Sequence, residues 1–289
     1  MSETRRPLEP LGDRLLTPGV CHPTLDPMVQ TFLDRYAEGA LEALPYCSPD
    51  RQPHLLLPAR EKSRPLPFLV YLQDIASPSR EQFLQLLADQ AGLAVLLHTF
   101  SPEAGWQAID SSLQEELNLL AEQGPRQGID PSRLILAGDG LGALVAAGFA
   151  SRRGNGHRRP ILIVLATPLL DPPAAGYCTE WLPTTEAIAQ AEIAAPLLDP
   201  DGWPARFARP RLQRMPPTVL ITAEMDPFRD GAEAFARRLM AAEMEVSASR
   251  LLGTIHDFTW LPGLVDACAT LNARQIIVGA LGAELPTES

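Results

Sequence analysis

Lysine, closely spaced cysteines and long apolar runs are scarce or missing in this chain of 289 residues. Lys62 is the only lysine and the formal net charge is −11, so patches that bind nucleic acid or anionic membranes are not expected. No apolar run approaches the roughly 18 residues of a membrane span. The first ten residues lack the apolar centre of a signal peptide, which predicts a cytoplasmic location.

The residue types that usually hold metals and redox groups are also dispersed. The four cysteines form no C-x-x-C pair, which argues against a zinc or redox site. The histidines at 22, 54, 98 and 157 stand apart, without the spacing of metal ligands. We therefore expect free thiols, no metal and no cofactor.

Apolar segments of strand length alternate with helical patterns along most of the chain. This alternation predicts an α/β fold with a mostly parallel, doubly wound sheet. The predicted strands are 67–72, 93–98, 133–137, 161–167, 217–223 and 245–252. The predicted helices are 25–43, 79–91, 107–123, 141–152, 231–243 and 263–282. We expect one domain over 1–289, with an N-terminal arm and cap helix in 1–60, a proline-broken loop up to about 66 and an insertion at 168–214.

The most informative motif is a glycine turn between a predicted strand and a predicted helix. Residues 134–146 run from an apolar strand through Gly138, Gly140 and Gly142 into a helix of small residues. This layout resembles the nucleophile elbow G-x-S-x-G of α/β-hydrolases, with glycine at the central position. The scaffold for acyl transfer is predicted, and its attacking atom is absent.

Two further segments carry residues suited to acid–base chemistry, and both follow predicted strands. Asp226 lies just beyond one strand and His256 beyond the last, with 256 − 226 = 30 residues between them. The chain order is elbow, acid, histidine, as in α/β-hydrolases. In that arrangement the acid orients the imidazole, which acts as a base.

These segments together resemble one family, the bacterial hormone-sensitive-lipase-like esterases, also called fold-3 α/β-hydrolases. The resemblance rests on Leu25-Asp-Pro, Ser101-Pro-Glu103, Leu136-Ala-Gly-Asp139, Ala223-Glu-Met-Asp-Pro-Phe-Arg-Asp230 and Ile255-His-Asp-Phe258, in this order. It implies that Asp226 and His256 match the acid and base of the triad. It also implies that position 140 matches the nucleophile.

The chain departs from the family at two places. The first is Gly140 itself. The second is the segment after the first core strand, where the family has His-Gly-Gly-Gly and this chain has Gln73, Asp74, Ile75 and Ala76. In the family these glycines form the oxyanion hole, together with the residue after the nucleophile, here Leu141. Loss of one oxyanion donor costs about 2.7–4 kcal/mol in studied enzymes.

Two functions remain open from the sequence. In the first, the chain is a pseudoenzyme whose old pocket binds a small apolar or ester-like ligand or a protein partner, and a homodimer is possible. In the second, the Asp226–His256 dyad supports hydrolysis or a lyase step without a covalent serine intermediate. Two weaker alternatives are a G-x-G-x-x-A dinucleotide fingerprint at 138–143 and a substitute nucleophile at Ser77, Ser101 or Thr254.

Overall fold

The computed structural model describes residues 24–37, 54–59, 65–152, 158–173 and 191–285. Four predictions lie wholly or partly outside these residues. They are the N-terminal arm, the end of the helix predicted at 25–43, most of the loop predicted up to about residue 66, and residues 174–190 of the predicted insertion.

The described residues form a seven-stranded sheet in the order β1-β3-β2-β4-β5-β6-β7. Neighbouring strands are parallel except β1, which runs antiparallel to β3 at one edge. The strands are β1 His54–Leu56, β2 Leu66–Gln73, β3 Ala94–Thr99, β4 Ile129–Asp139, β5 Leu162–Ala166, β6 Thr218–Met225 and β7 Val246–Ile255. The predicted mostly parallel sheet is confirmed.

Helices cover both faces of this sheet. Their bounds are α1 Pro27–Ala37, α2 Pro78–Ala91, α3 Gly105–Gln123, α4 Gly140–Ala150, α5 Arg229–Ala241 and α6 Cys268–Glu284. Local sequence explains the limits of α2, which starts with a proline at its first position and ends at Gly92 in the left-handed conformation. No helix among the described residues is long and apolar enough to cross a membrane.

Alternate side chains along the strands belong to two separate hydrophobic cores, one on each face of the sheet, as a doubly wound sheet requires. In β2, Phe68 and Val70 join the core beneath α3, α4 and α5, while Leu69 joins the core beneath α1, α2 and α6. All residues of α4 are buried, because this helix packs against the centre of the sheet.

The turn from β4 into α4 is held by close backbone packing. A Cβ on Gly142 would lie 1.9 Å from the carbonyl oxygen of Leu72 in β2. A Cβ on Gly138 would lie 2.5 Å from the carbonyl carbon of Gly142. The outer glycines of the motif are therefore required by the approach of α4 to the sheet.

Two predictions about the elements were wrong. The segment predicted as a loop up to residue 66 contains β1, whose three residues are too few to show a strand pattern. The last helix begins at Cys268 rather than at residue 263, because Pro262 lacks an N–H and Gly263 takes a φ of +91°.

Candidate active site

The three predicted site segments meet at one edge of the sheet. β4 ends at Asp139 and α4 begins at Gly140, Asp226 follows the end of β6, and His256 follows the end of β7. The carboxyl ends of parallel strands lie at the same edge, where α/β proteins bind their ligands.

Asp226 and His256 form a buried pair. Oδ2 of Asp226 lies 2.8 Å from Nδ1 of His256, and their side chains are 1% and 4% exposed. The other carboxylate oxygen of Asp226 accepts a hydrogen bond of 2.8 Å from the backbone N–H of Phe228. The carboxylate therefore fixes the orientation of the imidazole, with Nδ1 facing it and Nε2 facing away.

A residue that the sequence analysis did not single out contacts the other ring nitrogen. Oδ1 of Asp257 lies 3.4 Å from Nε2 of His256, and it also accepts a hydrogen bond of 3.4 Å from the hydroxyl of Thr167. Asp257 and Thr167 have φ values of +61° and +38°, and they are two of three such non-glycine residues in the described chain. Such conformations cost about 1–3 kcal/mol each, so backbone strain is concentrated here.

Position 140 faces the same ring. Gly140 has a φ of +46°, a conformation that glycine adopts without steric cost. A Cβ built on it would lie 3.5 Å from Oδ1 of Asp257 and 3.9 Å from Nε2 of His256. These are ordinary contact distances, so the site has room for a side chain at position 140.

The two carboxylates decide the protonation of His256. Burial alone would lower its pKa, but Asp226 and then Asp257 outweigh burial and raise the pKa to about 9. Burial also raises the pKa of Asp257, while His256 and Arg80 oppose that rise. At neutral pH the ring is therefore an imidazolium that faces a carboxyl group at each nitrogen.

The loop after β2 is fixed by its own polar contacts. The side-chain amide of Gln73 donates to the hydroxyl of Thr99 at 3.0 Å, and the carbonyl of Gln73 accepts from the N–H of Phe100 at 2.9 Å. Burial raises the pKa of Asp74, and Arg80 opposes that rise. Arg80 also donates to the carbonyl of Ile75.

Arg80 and Asp139 form a second buried network beneath the elbow. Nε and Nη2 of Arg80 donate to the two carboxylate oxygens of Asp139 at 3.0 and 2.9 Å, and both side chains are 1% exposed. The hydroxyl of Tyr71 donates to the same carboxylate at 2.8 Å. The guanidinium lies 4.1 Å above the ring of Trp260, so this network joins the elbow to the loops after β2 and β7.

A family model described as alpha/beta hydrolase fold (Abhydrolase_3) matches residues 69–260, which include the elbow, Asp226 and His256. The chain belongs to this family. An ethyl acetate hydrolase of Pseudomonas putida is 28% identical over 195 residues, 62% of this chain and 60% of that protein. A carboxylesterase of Mycobacterium tuberculosis is 26% identical over 211 residues, 64% of this chain and 62% of that protein. The chain thus spans about three fifths of the length of these relatives.

Solved structures give the same fold for this alpha/beta hydrolase. A carboxyl esterase of the fungus Tuber melanosporum is 24% identical with a TM-score of 0.72, and the match covers 91% of this chain and 100% of the esterase. A thermostable esterase of Pseudomonas putida is 21% identical with a TM-score of 0.75, and the match covers 93% and 100%. At these identities the likeness establishes the fold.

The residues predicted for the oxyanion site include no glycine, and among them the backbone nitrogen of Gln73 would lie 3.3 Å from a Cβ built on Gly142. Leu141 lies in the first turn of α4 and Ala76 is buried in the loop after β2. The three residues considered as substitute nucleophiles are placed as follows. Ser77 and Thr254 are buried, and Ser101 donates to Glu103. No group of three or more metal-binding side chains occurs in the part of the chain that the structure describes.

Four residues of the site were missed by the sequence analysis: Arg80, Asp139, Thr167 and Asp257. Asp257 directly follows His256 and Asp139 directly precedes Gly140, so adjacency to the predicted residues was an available signal. Arg80 and Thr167 carry no such signal, because only the fold brings them to the site.

Proposed function

We propose that this alpha/beta hydrolase lacks serine-esterase activity and retains its site as a binding site for a small apolar or ester-like molecule. The observation that carries the proposal is the environment of His256. Its Nε2 faces Gly140, which has no attacking atom, and Asp257, whose carboxyl group lies 3.4 Å away. An imidazolium held between two carboxyl groups is a poor base at neutral pH.

The replaced oxyanion segment supports the same proposal. A developing oxyanion needs N–H donors aimed at it, whereas the loop at 73–76 carries the acidic Asp74, whose carboxyl group interacts electrostatically with Asp139 at the end of β4. The carbonyl of Ile75 is held by Arg80, which restrains the loop. Two separate parts of the esterase mechanism are thus replaced. The names of the relatives, ethyl acetate hydrolase and carboxylesterase, suggest a carboxylic ester as the ligand class.

The decisive experiment compares hydrolysis of p-nitrophenyl acetate and butyrate by the native protein and by His256→Ala. We expect no turnover that depends on His256, so the two proteins should give equal rates. Binding is then followed by NMR, as changes in the Leu141 amide and the His256 ring signals during titration with ethyl butyrate. Turnover in the native protein that vanishes in His256→Ala would overturn the proposal.

Gly140→Ser tests the oxyanion argument separately. A Cβ has space at this position, although the φ of +46° strains any side chain there. We expect little esterase activity from this single change, because residues 73–76 still lack the glycines that form the oxyanion hole in the family. Robust activity in Gly140→Ser would show that the loop is competent and that only the nucleophile is missing.

A second candidate function is direct hydrolysis by acid–base catalysis, and the exposure of Asp257 favours it. Its side chain is 20% exposed, against 4% for His256, so water can reach it. Asp257 would take a proton from water as the water attacks an ester, and the imidazolium of His256 would give its proton to the leaving alcohol. The rate would rise as Asp257 ionises and fall above a pH of about 9 as His256 loses its proton. Asp257→Asn should then abolish turnover.

A further inference from the structure

A cavity lies away from the Asp226–His256 pair, between α3 and the edge of the sheet. Its volume is about 630 Å³, within the range of small-molecule sites. Residues of β1, β3 and α3 line it, and none of them belongs to the elbow or to the Asp226–His256 pair. Thr99, which accepts a hydrogen bond from Gln73, is the lining residue that connects this cavity to the segment described above.

One part of the lining is apolar. Leu55 of β1, Leu96 of β3, and Leu119 and Leu120 of α3 contribute to it. Leu119 is 52% exposed, so its side chain is open to solvent at this cavity. These four side chains offer a surface on which an aliphatic chain could lie.

The other part of the lining is polar and acidic. Its ionisable residues, among those the structure describes, are His98, Glu115 and Glu116. Nδ1 of His98 lies 2.5 Å from Oε2 of Glu116, so this histidine is already engaged by a carboxylate. Glu115 is exposed on the same helix. The lining therefore keeps a net negative charge whether or not His98 is protonated, and it favours a cationic head group over an anionic one.

The nearby hydroxyl of Ser112 completes this polar part without forming a catalytic triad. It donates to the carbonyl of Ile109 at 3.0 Å within α3, and it lies 3.5 Å from Nε2 of His98. A hydroxyl already engaged by its own helix is poorly placed as a nucleophile, since its proton points to the backbone. Ser112 and His98 therefore belong to a polar wall that can contact a ligand.

We propose that this cavity binds an aliphatic primary amine, with its chain on the leucines and its ammonium group at Glu115. The ammonium donates hydrogen bonds to a carboxylate, and the apolar chain is removed from water. No assignment of the esterase-like site is needed for this proposal, so either can fail without the other.

The probe is octylammonium, compared with octanoate and 1-octanol at pH 7, with binding measured by isothermal titration calorimetry. We expect octylammonium to bind more tightly than either neutral or anionic analogue. Glu115→Gln should weaken it by about three- to tenfold, as expected for loss of one charge-assisted hydrogen bond at an exposed site. Leu119→Ser should weaken octylammonium and octanol alike, because both lose the same apolar contact.

Glu122→Gln is the matched control, because Glu122 is exposed on the same helix and does not line the cavity. It should leave the affinity unchanged. Equal weakening by Glu115→Gln and Glu122→Gln would mean that the amine responds only to the net charge of −11, and it would overturn the proposal. Equal affinity for octanoate and octylammonium, or no binding of octylammonium, would also overturn it.

Discussion

Replacing Asp257 with asparagine removes one of the two carboxyl groups that raise the pKa of His256. The two groups lie 3.4 Å apart, and a pair of unit charges at that distance interacts by about 5 kcal/mol at an effective dielectric constant of 20. Loss of hydration offsets much of this, because both side chains are largely buried. We expect about 1–2 pKa units to remain, which is about 1.4–2.8 kcal/mol.

The assay is NMR titration of the His256 ring signals in the native protein and in Asp257→Asn. The native ring should titrate near a pH of 9, and the variant should titrate lower by the amount given above. Asp226→Asn should lower the pKa further, because Asp226 is the largest cause of the rise. Asp266→Asn is the control, since Asp266 is exposed, and it should leave the titration unchanged.

One result would refute the role given to Asp257 in raising the pKa of His256. If Asp257→Asn left the pKa of His256 unchanged while the fold was intact, Asp257 would not hold the ring in its charged form. The native ring would then be governed by Asp226 alone. The ring would still be charged at neutral pH, but Asp257 would not be the reason, and the proposal of a non-hydrolysing protein would rest on Gly140 and the oxyanion loop.

Three further predictions concern stability. Gly142→Ala should lower the free energy of unfolding by more than about 3 kcal/mol, and with it the thermal midpoint, because the new Cβ would overlap the carbonyl of Leu72. Gly279→Ala should raise the free energy of unfolding by about 0.5–1 kcal/mol, because a Cβ there meets no atom within 4 Å. Arg80→Met should lower the free energy of unfolding by about 3–5 kcal/mol, because it leaves the carboxylate of Asp139 charged and buried. The double variant with Asp139→Leu should lose less stability, and denaturant titration of both variants measures the difference. The pKa of His256 is about 9 in the folded protein against about 6.5 in the unfolded chain, so its protonation stabilises the fold by at most about 3.4 kcal/mol. This stabilisation is complete below pH 6.5 and is lost as pH rises through 9, and flat stability from pH 7 to 10 would contradict it.

The fold could be predicted from the sequence because its strands are continuous apolar runs between helical patterns. β5 and β6 are buried along almost their whole length, which makes each run unmistakable. β1 could not be predicted, because three residues carry no periodicity and its pairing with β3 is set by tertiary contact.

The site was predictable only where it follows strand ends. Asp226 and His256 could be placed together because their strands are both parallel members of one sheet. The role of Asp257 depends on a φ of +61° that turns its side chain toward Nε2, and no local pattern encodes that conformation. The ion pair between Arg80 and Asp139 joins residues 59 positions apart, and it forms because the fold brings the first turn of α2 to the end of β4.

The positions at which this chain departs from the family's motifs are connected by direct contacts, so changes at these positions are not expected to act independently. Asp257 contacts the ring that a serine at position 140 would need as its base, and it also lies 3.5 Å from where that serine's Cβ would stand. Arg80 holds the carbonyl of Ile75 and the carboxylate of Asp139, so the oxyanion loop and the elbow are restrained by one side chain. The effects of substitutions at such contacting positions are not expected to add, so we expect a serine at position 140 alone to produce little esterase activity.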